Sequence, residues 1–272
     1  MFVRSFLFLS FGTVCFGGSC AKAGPAPSMN LPADAAPTLQ HCAANMVEVS
    51  GAYCTDLEQT CLRWLDPDTK VRCAEFAPRP VCKGKEEQKH FCIDEYEYPN
   101  RAGEQPKVLT TWYEARDACK AAGKRLCRAS EWTLSCEGAE RLPYPYGLVR
   151  SAEACNTDKP GVDVDEAALG NPQLRTQEAQ RLDQRAPSGK YESCVSSYGV
   201  HDLVGNVDEW VVNENGTPYR SASKGGYWGP VRNACRPTTT VHYEQFAFYQ
   251  LGFRCCSDPQ GEPSAGTDPD AG

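Results

Sequence analysis

Sulfur is the most plentiful reactive element of this chain: 16 cysteines stand among 272 residues, against four histidines at His41, His90, His201 and His242. Thiolates hold zinc or copper(I) when two or more converge on one point. No Cys-x-x-Cys occurs, however, and no two histidines fall in a His-x-x-x-His pair. In an oxidising compartment the same cysteines pair with one another instead. Serine hydrolysis has no local signal, since no Gly-x-Ser-x-Gly is present. A second group lies late in the chain, where Trp228, Tyr243, Phe246, Phe248 and Tyr249 crowd together with Arg232 and Arg236. Aromatics with arginine make a contact surface. Two or three of these rings filling a core beneath loops would explain the composition equally well.

The elements that must position these residues are set by length, composition and punctuation. A chain of 272 residues that is 41% apolar, 10% aromatic and 23% charged can bury one large core or two small ones. Twenty prolines and 23 glycines, with few long periodic apolar stretches, predict a loop-rich fold and exclude helical bundles and solenoids. The net charge of -7, without a Lys/Arg run, excludes a general nucleic-acid surface. Arg4, the apolar run from Phe6 to Phe16 and Ala21-Lys22-Ala23 read as a cleaved signal peptide over residues 1–23. A second reading takes Gly17-Gly18-Ser19-Cys20 as a lipoprotein box without its usual Leu, with a lipid anchor on Cys20 as the sole membrane attachment. Either way the protein is expected to be exported: periplasmic, secreted or lipid-anchored to the envelope. Setting aside Cys15 and Cys20 leaves 14 of the 16 cysteines, an even number that can pair completely.

Residues 24–41 are Pro/Ala-rich and read as a flexible linker, and 257–272 as a disordered acidic tail, which leaves 42–256 as the folded domain. Within it, Met46 to Val49 and Phe91 to Tyr96 alternate like half-buried strands. Thr111 and Glu114 form a capping box for a helix whose stripe is Trp112, Ala115, Cys119 and Ala122, with Gly123 to end it. A second helix is predicted over about 129–136, closed by Gly138. From Tyr144 to Val200, dense Gly, Pro, Asn and Asp predict mostly loops with short strands or turns.

Six segments, in order, resemble the formylglycine-generating enzymes, also called sulfatase-modifying factors. They are Met46-Val-Glu-Val49; Phe91-Cys-Ile-Asp-Glu-Tyr-Glu-Tyr-Pro-Asn100; Gly123-Lys-Arg-Leu126 with Glu131-Trp132; Tyr198-Gly-Val-His-Asp-Leu-Val-Gly-Asn-Val-Asp-Glu-Trp210; Lys224-Gly-Gly-Tyr-Trp228; and Leu251-Gly-Phe-Arg-Cys255. The resemblance implies a disulfide-rich, loop-rich α+β fold, distantly like a C-type lectin and low in regular structure. It also implies a calcium site at Asp202, Gly205, Val207 and Glu209, of which two supply side chains and two supply carbonyls. Calcium takes six to eight hard oxygens, which a turn at Gly205 flanked by carboxylates can offer. The bland alternative is a simple turn with Glu209 capping a neighbour. A weaker second calcium site would begin at Asn156 with Thr157, with Asp183 as the candidate downstream carboxylate.

The same resemblance implies oxidation of a protein cysteine by oxygen at copper(I) held by two thiolates with four residues between them, and here the pattern breaks. Lys224-Gly-Gly-Tyr227 replaces the family's Arg-Gly-Gly-Ser. Cys235 is the sole cysteine between Gly226 and Phe253, and if it matches the second thiol, Pro230 stands in the place of the first. Asp208 replaces a tryptophan. A lone thiol gives copper(I) neither affinity nor near-linear geometry. By resemblance Cys119 pairs with Cys255. Cys136 matches the other disulfide cysteine, whose usual partner is missing, and Cys235 is a natural replacement. Related sulfur-oxidising iron enzymes take histidines from an added helical bundle for which this chain has no room. The substrate groove implied by the family is bounded by Tyr227, Trp228, Arg232, Arg236 and Asp208. The expectation is therefore a protein- or peptide-binding, calcium-stabilised module that has left the copper chemistry. The alternative is an active oxygen-dependent oxidoreductase in which Cys235 is the catalytic thiol.

Overall fold

The structure is a computed structural model that describes residues 41–261. The expected signal peptide, Cys20 and nearly all of the linker lie outside those residues, as does the tail from residue 262 on. In chain order the elements are β1 (Met46–Cys54), β2 (Leu57–Glu58), β3 (Cys61–Trp64), β4 (Cys73–Phe76), β5 (Val81–Cys82), β6 (Glu86–Asp94), α1 (Trp112–Ala121), β7 (Arg125–Leu126), α2 (Ala129–Glu137), α3 (Glu166–Gly170), α4 (Arg175–Leu182), β8 (Asp208–Val212), β9 (Ser221–Lys224), β10 (Thr238–Thr239), β11 (Leu251–Phe253) and β12 (Cys255–Ser257).

Two four-stranded sheets carry the architecture. The first, in order β1-β6-β12-β7, is antiparallel throughout, with Met46 opposite Asp94 and Cys54 opposite Glu86. The second, β10-β9-β8-β11, is antiparallel except that β11 runs parallel to β8. Two small hairpin-like pairs, β2 with β5 and β3 with β4, complete the set. The half-buried alternation expected at Phe91 to Tyr96 gives way to four consecutive buried residues, Phe91 to Asp94. The reason is that β6 is an interior strand, flanked by β1 and β12 and packed by α2.

Helix α1 begins as its capping box requires. Thr111 Oγ1 accepts from the Glu114 N–H at 3.2 Å, and the Glu114 carboxylate accepts from the Thr111 N–H at 2.8 Å. Trp112, Ala115 and Cys119 form the buried stripe. Ala122 is exposed, because the helix stops at Ala121 and Gly123 turns away with φ of +70°. The loop expectation for residues 144–200 missed α3 and α4. Both are short and polar, and are anchored by Leu169, Ala179 and Leu182 packing with Trp228 and Tyr249. Tertiary burial of a few apolar residues, rather than periodicity, makes them helical.

Seven disulfides bind the loops to these elements: Cys42–Cys92, Cys54–Cys82, Cys61–Cys73, Cys119–Cys255, Cys127–Cys256, Cys136–Cys235 and Cys155–Cys194. Each removes freedom from the unfolded chain and is worth about 2–4 kcal/mol. Adjacent Cys255 and Cys256 reach different partners, so β12 is tied both to α1 and to the segment between β7 and α2. The ordered body also runs past Cys256. Ser257 belongs to β12, Asp258 pairs with Arg125 at 2.8 Å, and the Gln260 N–H donates to the His41 carbonyl at 2.8 Å. The first residues assigned to the tail are thus part of the fold.

Candidate functional site

Strand β8 carries the densest chemistry. Glu209 is 1% exposed and faces Arg254, which lies between β11 and β12 and is itself fully buried. Two parallel bonds at 2.7 Å join the guanidinium to the carboxylate, and Trp132 Nε1 on α2 donates to the same carboxylate at 2.8 Å. The remaining Arg254 donors reach the carbonyls of Asp94, Glu95 and His201. A buried ion pair survives desolvation when every donor and acceptor is satisfied in this way.

Around this pair sit two further buried carboxylates. Glu97 accepts from Ser188 Oγ at 2.8 Å and from Asn206 Nδ2 at 2.9 Å, and Asp202 accepts from the Gly189 N–H at 2.6 Å. Burial raises the Asp202 carboxyl to about 6. Burial, followed by the charges of Asp202 and Glu209, pushes Glu97 up as well. One guanidinium thus faces three carboxylates in a low-dielectric setting.

The residues named for calcium are held together by the turn ahead of β8. Asp202 (φ +57°), Gly205 (φ +80°) and Asn206 (φ +55°) all adopt the left-handed conformation. A Cβ on Gly205 would stand 2.4 Å from the Asn156 carbonyl oxygen and 2.5 Å from Thr157, so only glycine fits there. That contact makes the two predicted sets, Asp202 to Glu209 and Asn156-Thr157, neighbours. They differ in fitness for a hard cation. Glu209 has both oxygens committed to Arg254, and Asp183 is held in two bonds by Arg185, so neither is a ready ligand. Asn156 Oδ1 and Thr157 Oγ1, by contrast, are buried acceptors with no hydrogen-bond partner. Orphaned buried oxygens are what a calcium ion would satisfy. The donor set therefore fits calcium at Asn156 and Thr157, beside the turn at Gly205, better than at Glu209.

Cys235 does not fit copper(I). Its sulfur is bonded to Cys136 at the end of α2, and every cysteine among the described residues lies in a disulfide. A disulfide sulfur offers copper(I) no thiolate to bind.

Of the five residues placed around a groove, Asp208, Tyr227 and Arg232 come together, on the wall of a cavity of about 280 Å³ that Pro230 and His242 also line. Burial in that wall pushes the Asp208 carboxyl up to about 7, although it accepts a hydrogen bond from the Gly226 N–H at 3.1 Å. The other two do not join them. Trp228 is 2% exposed and packs in the core with Val207 and Tyr249. Arg236 holds Glu137 through bonds of 2.6 and 2.5 Å and lines a separate polar cavity of about 480 Å³ beside Tyr53. His242 also borders a cavity of about 520 Å³ lined by Phe246 and Phe248 together with Glu166 and Arg175, so two concavities meet at this residue. Sequence reasoning did not single out Arg254, Glu97 or Glu137. A lone arginine inside the apolar run Leu251 to Cys256 was the available signal, because such a charge is rarely buried without a partner.

A disulfide-stapled α+β domain of small sheets and long loops is the fold of formylglycine-generating enzymes. The chain belongs to this family: the sulfatase-modifying factor enzyme 1-like domain matches residues 49–259. It is 27% identical over 177 residues to a Bos taurus protein named inactive C-alpha-formylglycine-generating enzyme 2, covering 58% of this chain and 52% of the relative. The chain therefore spans about half the length of that curated relative. Among solved structures, CarF superposes with a TM-score of 0.51 at 14% identity, covering 78% of this chain and 97% of the other. PvdO from Pseudomonas aeruginosa gives 0.46 at 17% identity, covering 78% and 94%. The density of disulfides is consistent with an exported protein. No helix among the described residues is long and apolar enough to cross a membrane.

Proposed function

We propose that this chain is an exported, calcium-stabilised member of its family that has given up the two-thiolate copper site and binds a peptide or another envelope component. The observation that carries this reading is the Cys136–Cys235 disulfide, which consumes the one sulfur available at the place of the chemistry. The name of the bovine relative, an inactive formylglycine-generating enzyme, points the same way. Binding would use the cavity of Asp208, Tyr227 and Arg232, where a cation and a carboxyl stand beside an aromatic ring, and would extend past His242 onto Phe246 and Phe248. Calcium would be held by Asn156 and Thr157, beside the Gly205 turn.

Thiol counting on the denatured, unreduced protein tests the central claim. No titratable thiol is expected from residues 42–256. One free thiol at Cys235, together with stoichiometric copper(I) binding and an oxygen-dependent product from a cysteine peptide, would restore the oxidase. Binding is tested on an immobilised random-peptide array, on which Arg232→Ala should weaken the retained spots; an unchanged pattern moves the ligand elsewhere. Chelation of calcium should lower the melting temperature. An unaltered melt, with no metal by elemental analysis, removes the calcium part alone.

A further inference from the structure

We propose that His41, Glu48 and His90 form a zinc(II)-binding site on the edge of the first sheet, separate from the cavity and from the buried carboxylates. The backbone brings these residues together by three independent constraints. In the β1–β6 ladder, Glu48 lies opposite Cys92 and His90 opposite Ser50, which makes Glu48 and His90 diagonal neighbours on one face. Cys92 is bonded to Cys42, and that disulfide carries His41, the preceding residue, onto the same face. The His41 carbonyl is then fixed by the Gln260 N–H at 2.8 Å.

The side chains converge on one point. His41 Nδ1 lies 2.9 Å and His90 Nε2 2.7 Å from the same oxygen, Glu48 Oε1. One donor atom from each of the three residues falls within 4.8 Å of the others, and the two rings stand edge to face with centroids 5.9 Å apart. Zinc bonds imidazole nitrogen and carboxylate oxygen at about 2.0–2.2 Å, which spaces donors around a tetrahedral ion by roughly 3.4 Å. Opening the two contacts to the Glu48 oxygen by about 0.5 and 0.7 Å therefore makes room for the ion. Partial exposure gives His41 and Glu48 room for that movement, at 37% and 42% of their side chains, while the sheet and the disulfide keep their backbones in place.

The donor chemistry narrows the choice of metal. Two nitrogens and one oxygen are too soft a set for calcium, which takes oxygen throughout. With no thiolate in the cluster, copper(I) is disfavoured too. Between iron(II) and zinc(II), which this triad of donors can both accept, zinc binds the more tightly and is indifferent to the oxidising setting that the disulfides indicate. Three protein donors leave a fourth position to water, the arrangement of an open rather than a closed zinc site.

The test uses the full chain with its disulfides intact, freed of metal and returned to calcium-saturated buffer so that oxygen-rich sites are filled. Zinc is titrated against a chromophoric chelator. One zinc per chain is expected, with affinity reduced by at least about tenfold in His41→Gln, Glu48→Gln and His90→Gln, while His242→Gln is unchanged. Histidine ring resonances of the wild type provide a readout that needs no variant: zinc should shift those of His41 and His90 and spare His201 and His242. Absence of zinc binding, an unchanged affinity in His90→Gln, or shifts confined to His201 and His242 would each overturn the assignment.

Discussion

The two faces of the β8–β9 ladder live under different constraints. On one, Glu209 is locked to Arg254 and Trp132, and near them Glu97 is held by Asn206 and Ser188 and Asp202 by the Gly189 N–H. On the other, Asp208 borders a half-open cavity with Tyr227, Pro230 and Arg232, and the segments here are the ones that depart from the family pattern. The difference teaches where a fold tolerates chemical change. A side chain in a saturated buried network cannot be replaced without leaving a partner charged and unpaired. A side chain on a cavity wall answers mainly to water and ligand. Under the proposed function, loss of the copper thiols left the centre of the fold intact, and the surviving sulfur was absorbed into a structural bond.

The sharpest way to break this comparison is to remove one member of the buried pair. Arg254→Met leaves the buried Glu209 side chain with the Trp132 N–H as its one remaining partner among the described residues, and should cost about 3–5 kcal/mol in urea unfolding. Arg232→Met, on the cavity wall, should stay within about 0.5 kcal/mol of wild type. Similar losses in the two variants would mean that the wall is as constrained as the centre, and the contrast would fail.

A smaller effect addresses the sulfur. Replacing both Cys136 and Cys235 by Ala should cost about 2–4 kcal/mol, because the bond closes a loop with a sequence separation of 99. The single variant Cys136→Ala leaves the Cys235 thiol free and asks whether the ancestral site is latent. With Pro230 at the position of the other thiol, copper(I) should bind no more tightly than to an ordinary surface cysteine in competition with bicinchoninate. Tight, two-coordinate binding would show that a second donor is within reach.

How much of the molecule is legible in its sequence depends on whether a feature is local or assembled. The capping box at Thr111 and Glu114 can be read directly, as can the helix stop at Gly138, because each is decided within a few residues. The family segments lead to the right fold because their order along the chain carries topology that no single segment holds. Trp228 is misplaced in the groove because an aromatic beside glycines reads alike whether it faces water or α4; only the packing of Leu182 and Tyr249 decides. Helices α3 and α4 are hidden for the same reason. The convergence of His41, Glu48 and His90 is set by the Cys42–Cys92 bond and a diagonal register, neither of which spacing along the chain reveals. Arg254 stands inside a family segment without a visible role, since its partner Glu209 lies 45 residues away.

The smallest effect lies on the ladder itself, at the join between the two faces. Lys224 is opposite Glu209 in register and is 1% exposed, yet its ammonium has no carboxylate partner among the described residues. It donates to the Arg236 carbonyl at 3.0 Å and to Thr238 Oγ1 at 3.1 Å, and stands 5.3 Å from the centre of the Trp132 ring. Burial, reinforced by the nearby Arg236 charge, drives it down from its ordinary value of 10.5 to about 7. The sign follows from proton counting. Between about pH 7 and 10.5 the unfolded chain holds a proton on Lys224 that the folded chain has released, so folding stability rises with pH across that window and the penalty is complete below it. In wild type this adds at most about 1.4 kcal/mol per pH unit, and Lys224→Met, which carries no proton in either state, should lack it. Urea midpoints at pH 7, 8 and 9 for both proteins isolate the lysine, since every other titrating group is common to them. Equal slopes would mean that Lys224 keeps its proton in the fold, and that the ladder spreads its charge balance from the Glu209 face to the cavity side instead of confining it to one.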